Sequence, residues 1–156
     1  MIEMLRVDHR LLHGQVAFSW TSMLSADCIL IANDSAASNE LKKTAMKLAK
    51  PNGVKLVIKN VVDSIAALNK GVTDKYKLFI VVGNIEDAAT IVENYSEIKS
   101  INIGGTLPGD DKTNISKTIS VTKEEKKTLK DLVGSGYEVY IQMVPSDSKI
   151  DVGKLV

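Results

Sequence analysis

The sequence has little of several features that define particular protein classes. Its 156 residues include one cysteine, Cys28, which excludes an internal disulfide and a zinc site built from cysteines alone. Lys and Arg total 20 against 19 Asp and Glu, so the formal net charge of +1 gives no overall attraction to nucleic acid or anionic membrane. Apolar runs such as Cys28–Ala32 are far shorter than the ~20 residues of a membrane-spanning helix. These absences favour a cytoplasmic protein with no nucleic-acid partner.

Short apolar runs alternate with longer amphipathic segments. The runs predict seven strands, at Met4–Val7, Cys28–Ala32, Val54–Ile58, Leu78–Val82, Ser100–Ile103, Thr118–Val121 and Glu138–Met143. Five segments between them predict helices, at Gln15–Leu24, Asn39–Lys50, Val62–Leu68, Ile85–Asn94 and Thr122–Leu132. Uninterrupted apolar runs are typical of parallel strands covered on both faces. We therefore predict a single α/β domain over residues 1–156, a mainly parallel sheet of about seven strands flanked by helices on both faces.

The helical periodicity also predicts which side chains face inward. Val16, Trp20 and Met23 share one side of the first helix, and an apolar stripe containing Leu41 and Leu48 follows the second. Asn84 is predicted to cap the helix after the fourth strand. Thr122 and Glu125 have the spacing of a capping box.

The segment after the first strand, Asp8–Gln15, holds the only two histidines, His9 and His13. Ligands of α/β sheets bind beyond the carboxyl ends of the strands, where this segment lies. Phosphoryl transfer through an imidazole requires a nucleophilic ring nitrogen, a cation beside the phosphoryl oxygens and backbone donors. His13, Arg10 and the backbone at Gly14 and the following helix start supply these groups, so the segment is a candidate phosphoryl-transfer site.

Other interpretations of this segment stay open. In one of them, His13 is a capped surface histidine and Arg10 pairs with Asp8, so the segment has only a structural role. His9 and His13 are four residues apart and fit two ligands of a metal-dependent hydrolase, although no third ligand has a recognisable spacing. A regulatory module that holds a free phosphate or nucleotide needs the same loop but forms no covalent adduct. No cofactor and no metal is predicted.

Two further segments follow strands. Asp34 either caps the next helix or borders the same cleft as His13. Gly104 and Gly105 open a long irregular stretch, Gly104–Lys117, which lacks the Walker A spacing because Asp110 and Asp111 intervene. A loop of this length inside a domain is often functional, and we interpret it as a lid or a partner contact.

Five segments together carry a family resemblance. The sequence resembles the IIB components of the mannose/fructose/sorbose phosphotransferase systems, which serve bacterial sugar uptake and include systems for N-acetylgalactosamine. The resemblance covers nearly the whole chain, in order, through the segments Arg6–Val16, Ile31–Asp34, Ala49–Val54, Ile101–Gly105 and Met143–Lys149.

The resemblance implies both a fold and a function. The family fold is a parallel-rich α/β sheet, in agreement with the prediction above. His13 matches the histidine that accepts a phosphoryl group from phospho-IIA and passes it to a sugar held by the membrane IIC and IID components. Arg10 matches the arginine beside the phosphoryl oxygens, Asp8 the loop aspartate, and Gly14 and Gln15 the backbone donors. The resemblance further implies a cytoplasmic protein that associates peripherally with the transporter.

Three points are left open by the resemblance. Asp34, Gly104 and Gly105 are expected to contact a partner. His9 stands where the family often has an acidic or small polar residue. The transported sugar and the oligomeric state, a homo-oligomer included, are not specified by the sequence.

Overall fold

Strands and helices alternate from the first residues onward. The computed structural model describes residues 1–156. The strands are β1 (Ile2–Asp8), β2 (Cys28–Ala32), β3 (Lys55–Lys59), β4 (Leu78–Val82), β5 (Ser100–Gly105), β6 (Thr113–Asn114), β7 (Ser120–Val121), β8 (Glu138–Ile141) and β9 (Ile150–Asp151). The α-helices are α1 (Gly14–Leu24), α2 (Asp34–Ala37), α3 (Glu40–Ala49), α4 (Val61–Asn69), α5 (Ile85–Asn94) and α6 (Lys123–Gly134), and a 3₁₀ turn follows at Val152–Lys154.

Seven strands form one sheet in the order β3-β2-β4-β1-β5-β8-β9. All neighbours are parallel except β8 and β9. This confirms the predicted mainly parallel seven-stranded sheet, but one predicted member is wrong. The segment Thr118–Val121 contributes only β7, which pairs with β6 in a separate two-stranded ribbon, while β9 takes the seventh place in the main sheet.

Helices cover both faces of the sheet. A cluster of 25 buried residues joins α4, α5 and α6 to one face, with Leu68, Ile91 and Leu129 among its members. A second cluster of 12 buried residues joins α1, α2 and α3 to the other face through Trp20, Ala36 and Met46. Every residue of β2 and β4 is buried, as their uninterrupted apolar runs predict.

Two predicted inward stripes are wrong in part. Trp20 is fully buried, but Met23 on the same helix is 54% exposed. On α3, Leu41 and Leu48 are 80% and 84% exposed, and the only buried residue is Met46. Met46 alone joins α3 to the buried residues of the second cluster, and the leucine stripe faces solvent.

Five of the six α-helices begin with a side-chain cap. Asn33, Asn39, Asn60, Asn84 and Thr122 each accept a hydrogen bond from a backbone N–H of the first turn, which confirms the predictions for Asn84 and Thr122. Helix α1 differs, because the residue before it is His13 and its side chain makes no such bond. The first-turn N–H groups of α1 therefore remain available to another acceptor.

The strand order places a switch in direction at the centre of the sheet. Strands β1 and β4 are neighbours, but the chain leaves β1 toward α1 on one face and β4 toward α5 on the other. Ligands of open α/β sheets bind in the crevice outside the carboxyl ends of the strands at such a point. The loop after β1 lies there.

Candidate phosphoryl-transfer site

The loop between β1 and α1 has an unusual backbone. Leu11 has φ 59° and Gly14 has φ 39°, both in the left-handed region that costs a non-glycine residue free energy. Leu11 N–H donates to the Asp8 carbonyl at 2.9 Å, which closes a turn, and Leu12 is buried in the second cluster. Burial of Leu12 and the turn at Asp8 thus hold His13 at the start of α1.

Asp8 is the centre of the loop. Its side chain is fully buried, and Oδ2 accepts hydrogen bonds from Arg6 Nη2 at 3.0 Å and from His13 Nε2 at 3.1 Å. Its other oxygen, Oδ1, accepts from the backbone N–H of Arg10 at 3.0 Å and from Arg10 Nε at 3.2 Å. The sequence predicted that these residues act together, and the structure brings Asp8 into hydrogen-bond contact with both Arg10 and His13.

The environment of Asp8 keeps its carboxylate charged. Burial alone would raise its pKa, but the hydrogen bonds from the Arg10 backbone, from His13 and from the Arg10 side chain, with the charge of Arg6, hold the pKa of Asp8 below its usual value. Because an ionised carboxylate only accepts, the proton of the neutral His13 ring lies on Nε2. The unshared electron pair of the ring is then on Nδ1.

Arg6 lies beneath the loop and is a residue that the sequence analysis gave no role. It is 2% exposed, its Nη1 donates to Asn102 Oδ1 at 2.7 Å and to the Gln142 carbonyl at 3.1 Å, and its Nη2 donates to the Met143 carbonyl at 3.0 Å. Its guanidinium also lies 5.5 Å from the centre of the Trp20 ring. The sequence indication of this role was a charged residue inside the apolar run of β1, because a buried arginine requires hydrogen-bond and charge partners within the protein.

The same contacts join two of the segments that carry the family resemblance, Arg6–Val16 and Met143–Lys149. Trp20 Nε1 donates to the Met143 carbonyl at 2.9 Å, so that carbonyl accepts from both Trp20 and Arg6. The segment after β8 is thereby fixed against the loop after β1.

Gly104 and Gly105 are buried residues of β5 and not the start of the loop that the sequence indicated. A Cβ at Gly104 would lie 2.1 Å from Arg6 Cζ, so only glycine leaves room for that guanidinium. A Cβ at Gly105 would lie 3.4 Å from both Arg10 Nη2 and His9 Nδ1. The irregular stretch begins at Thr106 and contains β6. Partner contact by the two glycines stays a prediction.

Asp34 is placed on α2, with its Oδ1 accepting a hydrogen bond from Val61 N–H at 2.9 Å. It lines a shallow hollow with Asn60 and Val62, whereas Asn33 and Ser35 on either side of it line a cleft beside His9. The cap of α2 is Asn33 and not Asp34. Its predicted contact with a partner stays a prediction.

The accessible groups of the loop surround His13. The His13 side chain is 25% exposed and that of Arg10 is 41% exposed. Helix α1 forms its first backbone bond from Ala17 N–H to the His13 carbonyl, so the N–H groups of Gly14 and Gln15 have no helical acceptor. Three donors of an anion site, one guanidinium and two backbone amides, therefore lie around an imidazole.

His9 lies on the other side of Asp8. Its Nδ1 is 3.9 Å from Asp8 Oδ1, is buried and has no hydrogen-bond partner.

No group of three or more His, Cys, Asp or Glu side chains is arranged to hold a metal ion. No helix of the chain is both long and apolar enough to cross a membrane.

Comparison with known proteins identifies the family. Residues 2–156 match the family model described as PTS system sorbose subfamily IIB component. A probable phosphotransferase enzyme IIB component of Streptococcus pyogenes is 35% identical over 100% of this chain and 99% of its own length. The mannose-specific EIIAB component of Escherichia coli is 28% identical over 100% of this chain, which spans 48% of that longer protein.

A solved structure shows the same fold. The IIB domain of the sorbose permease from Klebsiella pneumoniae superposes with a TM-score of 0.93 at 26% identity, covering 99% of this chain and 94% of that one. IIB components of this family are transferases that carry a phosphoryl group in sugar uptake. The chain belongs to the sorbose subfamily of phosphotransferase-system IIB components.

Proposed function

We propose that His13 accepts a phosphoryl group on Nδ1 from a phosphohistidine of a IIA component and passes it to a sugar held by the membrane IIC and IID components. The observation that carries this proposal is the 3.1 Å hydrogen bond between His13 Nε2 and Asp8 Oδ2. It fixes the ring tautomer and leaves Nδ1 as the nucleophile. The name of the E. coli relative joins an A and a B component in one protein, which supports IIA as the donor.

The transfer step needs no other reactant. The electron pair on His13 Nδ1 attacks phosphorus while the P–N bond to the donor imidazole breaks, and the donor nitrogen keeps that electron pair. The phosphorylated ring gains positive character, and the Asp8 carboxylate stabilises it through Nε2–H. Arg10 and the N–H groups of Gly14 and Gln15 donate hydrogen bonds to the phosphoryl oxygens.

The site is suited to a carrier because its hold on the phosphoryl group is limited. Arg10 is already hydrogen bonded to Asp8, and no second exposed Lys or Arg side chain contacts Asp8. A weakly held group is released to the next acceptor with little change in free energy.

We place the protein in the cytoplasm, docked peripherally to the transporter, as a single domain over residues 1–156.

Phosphorylation with phosphoenolpyruvate, the general phosphotransferase proteins and a matching IIA tests this proposal by intact mass. We expect one acid-labile phosphoryl adduct on the wild type and none on His13→Ala. Arg10→Ala is expected to slow adduct formation by about 10²-fold, the usual effect of losing one donor to a transferring group. His9→Ala is the matched control, because it removes the only other histidine, and it should keep the adduct.

The position of the phosphoryl group gives a second readout. Nitrogen NMR of the phosphorylated protein is expected to show phosphorus on Nδ1 of His13. An adduct on the His13→Ala protein, or phosphorus on Nε2, would contradict the proposal. Absence of any adduct together with bound metal would favour the hydrolase interpretation instead.

A further inference from the structure

A polar cleft of about 290 Å³ opens next to the phosphoryl-transfer loop. We call it the switch-point cleft, because it lies where β1, β2 and β4 end and the chain leaves toward opposite faces of the sheet. Its polar lining includes His9, Asn33, Ser35, Lys42, Lys112 and Glu125. Neither His13 nor Arg10 lines it, so the cleft is separate from the phosphoryl-acceptor atom.

The cleft has more hydrogen-bond donors than its own acceptors use. Lys42 Nζ donates to Ser35 Oγ at 2.8 Å, and Lys112 Nζ donates to the Leu107 carbonyl at 2.8 Å. Neither ammonium group contacts a carboxylate. Each ammonium has three donors, so two on each remain for a ligand. The lining therefore favours a ligand rich in acceptor oxygens.

The charged groups of the lining also favour an anionic ligand. Glu125 is the only carboxylate among the lining residues, and its Oε1 accepts from Thr122 N–H at 2.8 Å in the capping box of α6. Two ammonium groups thus face one carboxylate that is already hydrogen bonded. An anion in the cleft gains from both lysines.

Asn33 adds a neutral donor that the backbone holds in place. Its Oδ1 accepts from Ala36 N–H at 2.9 Å as the cap of α2, which directs the amide nitrogen Nδ2 away from that helix end. Nδ2 has no protein acceptor, and it is so close to Gly83 that a Cβ there would lie 2.9 Å from it. Glycine at position 83 leaves space for this donor at the cleft wall.

The size and the apolar walls restrict the ligand further. The volume is near the lower end of the ~300–1,000 Å³ range of small-molecule pockets, which suits a metabolite smaller than a nucleotide. Leu11 and Leu107 supply apolar surface for carbon atoms, and no Phe, Tyr or Trp ring is present to stack a base. The donors come from the start of α2, from α3 and from the loop after β5, and a ligand with several oxygen atoms offers each of them an acceptor.

We propose that the switch-point cleft binds, without a covalent bond, a phosphate monoester of a small polyhydroxylated molecule. Lys42 and Lys112 bind the phosphate, and Asn33 with Ser35 binds hydroxyl groups. The choice of a sugar phosphate rests on the proposed function, since that class includes the product of sugar phosphorylation. Occupancy of the cleft by product would place it beside His9, whose Nδ1 is 3.9 Å from Asp8 Oδ1, and so couple product level to the phosphoryl-transfer loop.

Amide-resolved NMR titration of the unphosphorylated protein tests this site. The probes are mannose 6-phosphate, N-acetylgalactosamine 6-phosphate, inorganic phosphate and unphosphorylated mannose. We expect saturable shifts at His9, Asn33 and Asn84 with at least one sugar phosphate. Lys42→Gln/Lys112→Gln should weaken that binding by about tenfold or more, the loss of at least one charge-assisted hydrogen bond. Lys47→Gln/Lys117→Gln is the matched control, with the same net charge and two exposed lysines, one from α3 and one from the turn between β6 and β7.

Four results would overturn the proposal. One is the absence of saturable shifts with both sugar phosphates, and another is equal weakening by both double variants. The third is binding of inorganic phosphate as tight as that of the sugar phosphates. The fourth is a set of shifts confined to Gly14 and Gln15, which would assign the anion to the start of α1. The titration uses no phosphoryl donor, so its failure is independent of whether His13 is phosphorylated.

Discussion

Asp8 and Arg6 form a buried ion pair under the phosphoryl-transfer loop. Asp8 is fully buried and Arg6 is 2% exposed, and their side chains meet at 3.0 Å. The partners of Arg6 lie on β5 and after β8, so the pair links the loop after β1 to the ends of two further strands. The position of His13, through Asp8, therefore depends on residues outside that loop.

We expect Asp8→Asn to destabilise the fold as well as impair transfer. The substitution leaves the Arg6 guanidinium buried without its counter-charge, and breaking such a pair lowers the free energy of unfolding by about 3–5 kcal/mol. Urea denaturation of both proteins measures the difference. Asp110→Asn is the control, because Asp110 is exposed and makes no ion pair, and it should change stability by less than about 0.5 kcal/mol.

The pH dependence of that difference identifies the carboxylate charge as its cause. The pKa of Asp8 is lowered in the folded protein, so its contribution is fully present above the ordinary value of 3.8 and is lost as the pH falls through the lower folded value. We expect the gap between wild type and Asp8→Asn to be constant from neutral pH down to about pH 4 and to shrink below it. A gap that stays constant in stronger acid would show that the Asn side chain is destabilising through its shape.

Strand β5 has to make room for the Arg6 guanidinium. Two glycines end this strand although glycine is a weak strand former, and Gly104 faces the guanidinium directly. The glycine is therefore explained by its close approach to a side chain, and a surface loop is not required to account for it.

We expect Gly104→Ala to lower the free energy of unfolding by about 1–3 kcal/mol, the cost of overpacking a filled site. The added methyl would stand 2.1 Å from Arg6 Cζ, so the guanidinium and its bonds to Asp8 must shift. Gly134→Ala at the end of α6 is the matched control, since a Cβ there meets nothing within 4 Å. A neutral result at position 104 would show that Arg6 has space to move.

The elements that local patterns specify were predicted well. Strands 28–32 and 78–82 and helix 85–94 have the predicted bounds, because burial on both faces and an Asn cap are visible in adjacent residues. The contacts of Asp8 with Arg10 and His13 were also predictable, since the three residues are near each other in sequence. The role of Arg6 was not, because its partners Asn102 and Gln142 are 96 and 136 residues away. The predicted inward stripe of α3 was wrong, because the periodicity alone does not determine which side of the helix faces the sheet.

The molecule as a whole consists of two helical layers that share one sheet. The chain has a reporter in each layer: Trp20, its only tryptophan, belongs to the second cluster, and Cys28, its only cysteine, belongs to the first. Both are 1% exposed or less. Because β2 and β4 contribute residues to both clusters, loss of one layer exposes the buried strands of the other.

We therefore expect residues 1–156 to unfold as one cooperative unit. Trp20 fluorescence and the reactivity of the Cys28 thiol should give the same urea midpoint, with a slope of about 1–3 kcal/mol per molar urea. Burial raises the pKa of the Cys28 thiol, so labelling of the folded protein is slow and the signal reports unfolding. Midpoints that differ between the two probes would mean that one layer opens while the other stays folded, and the chain would then contain two units of separate stability.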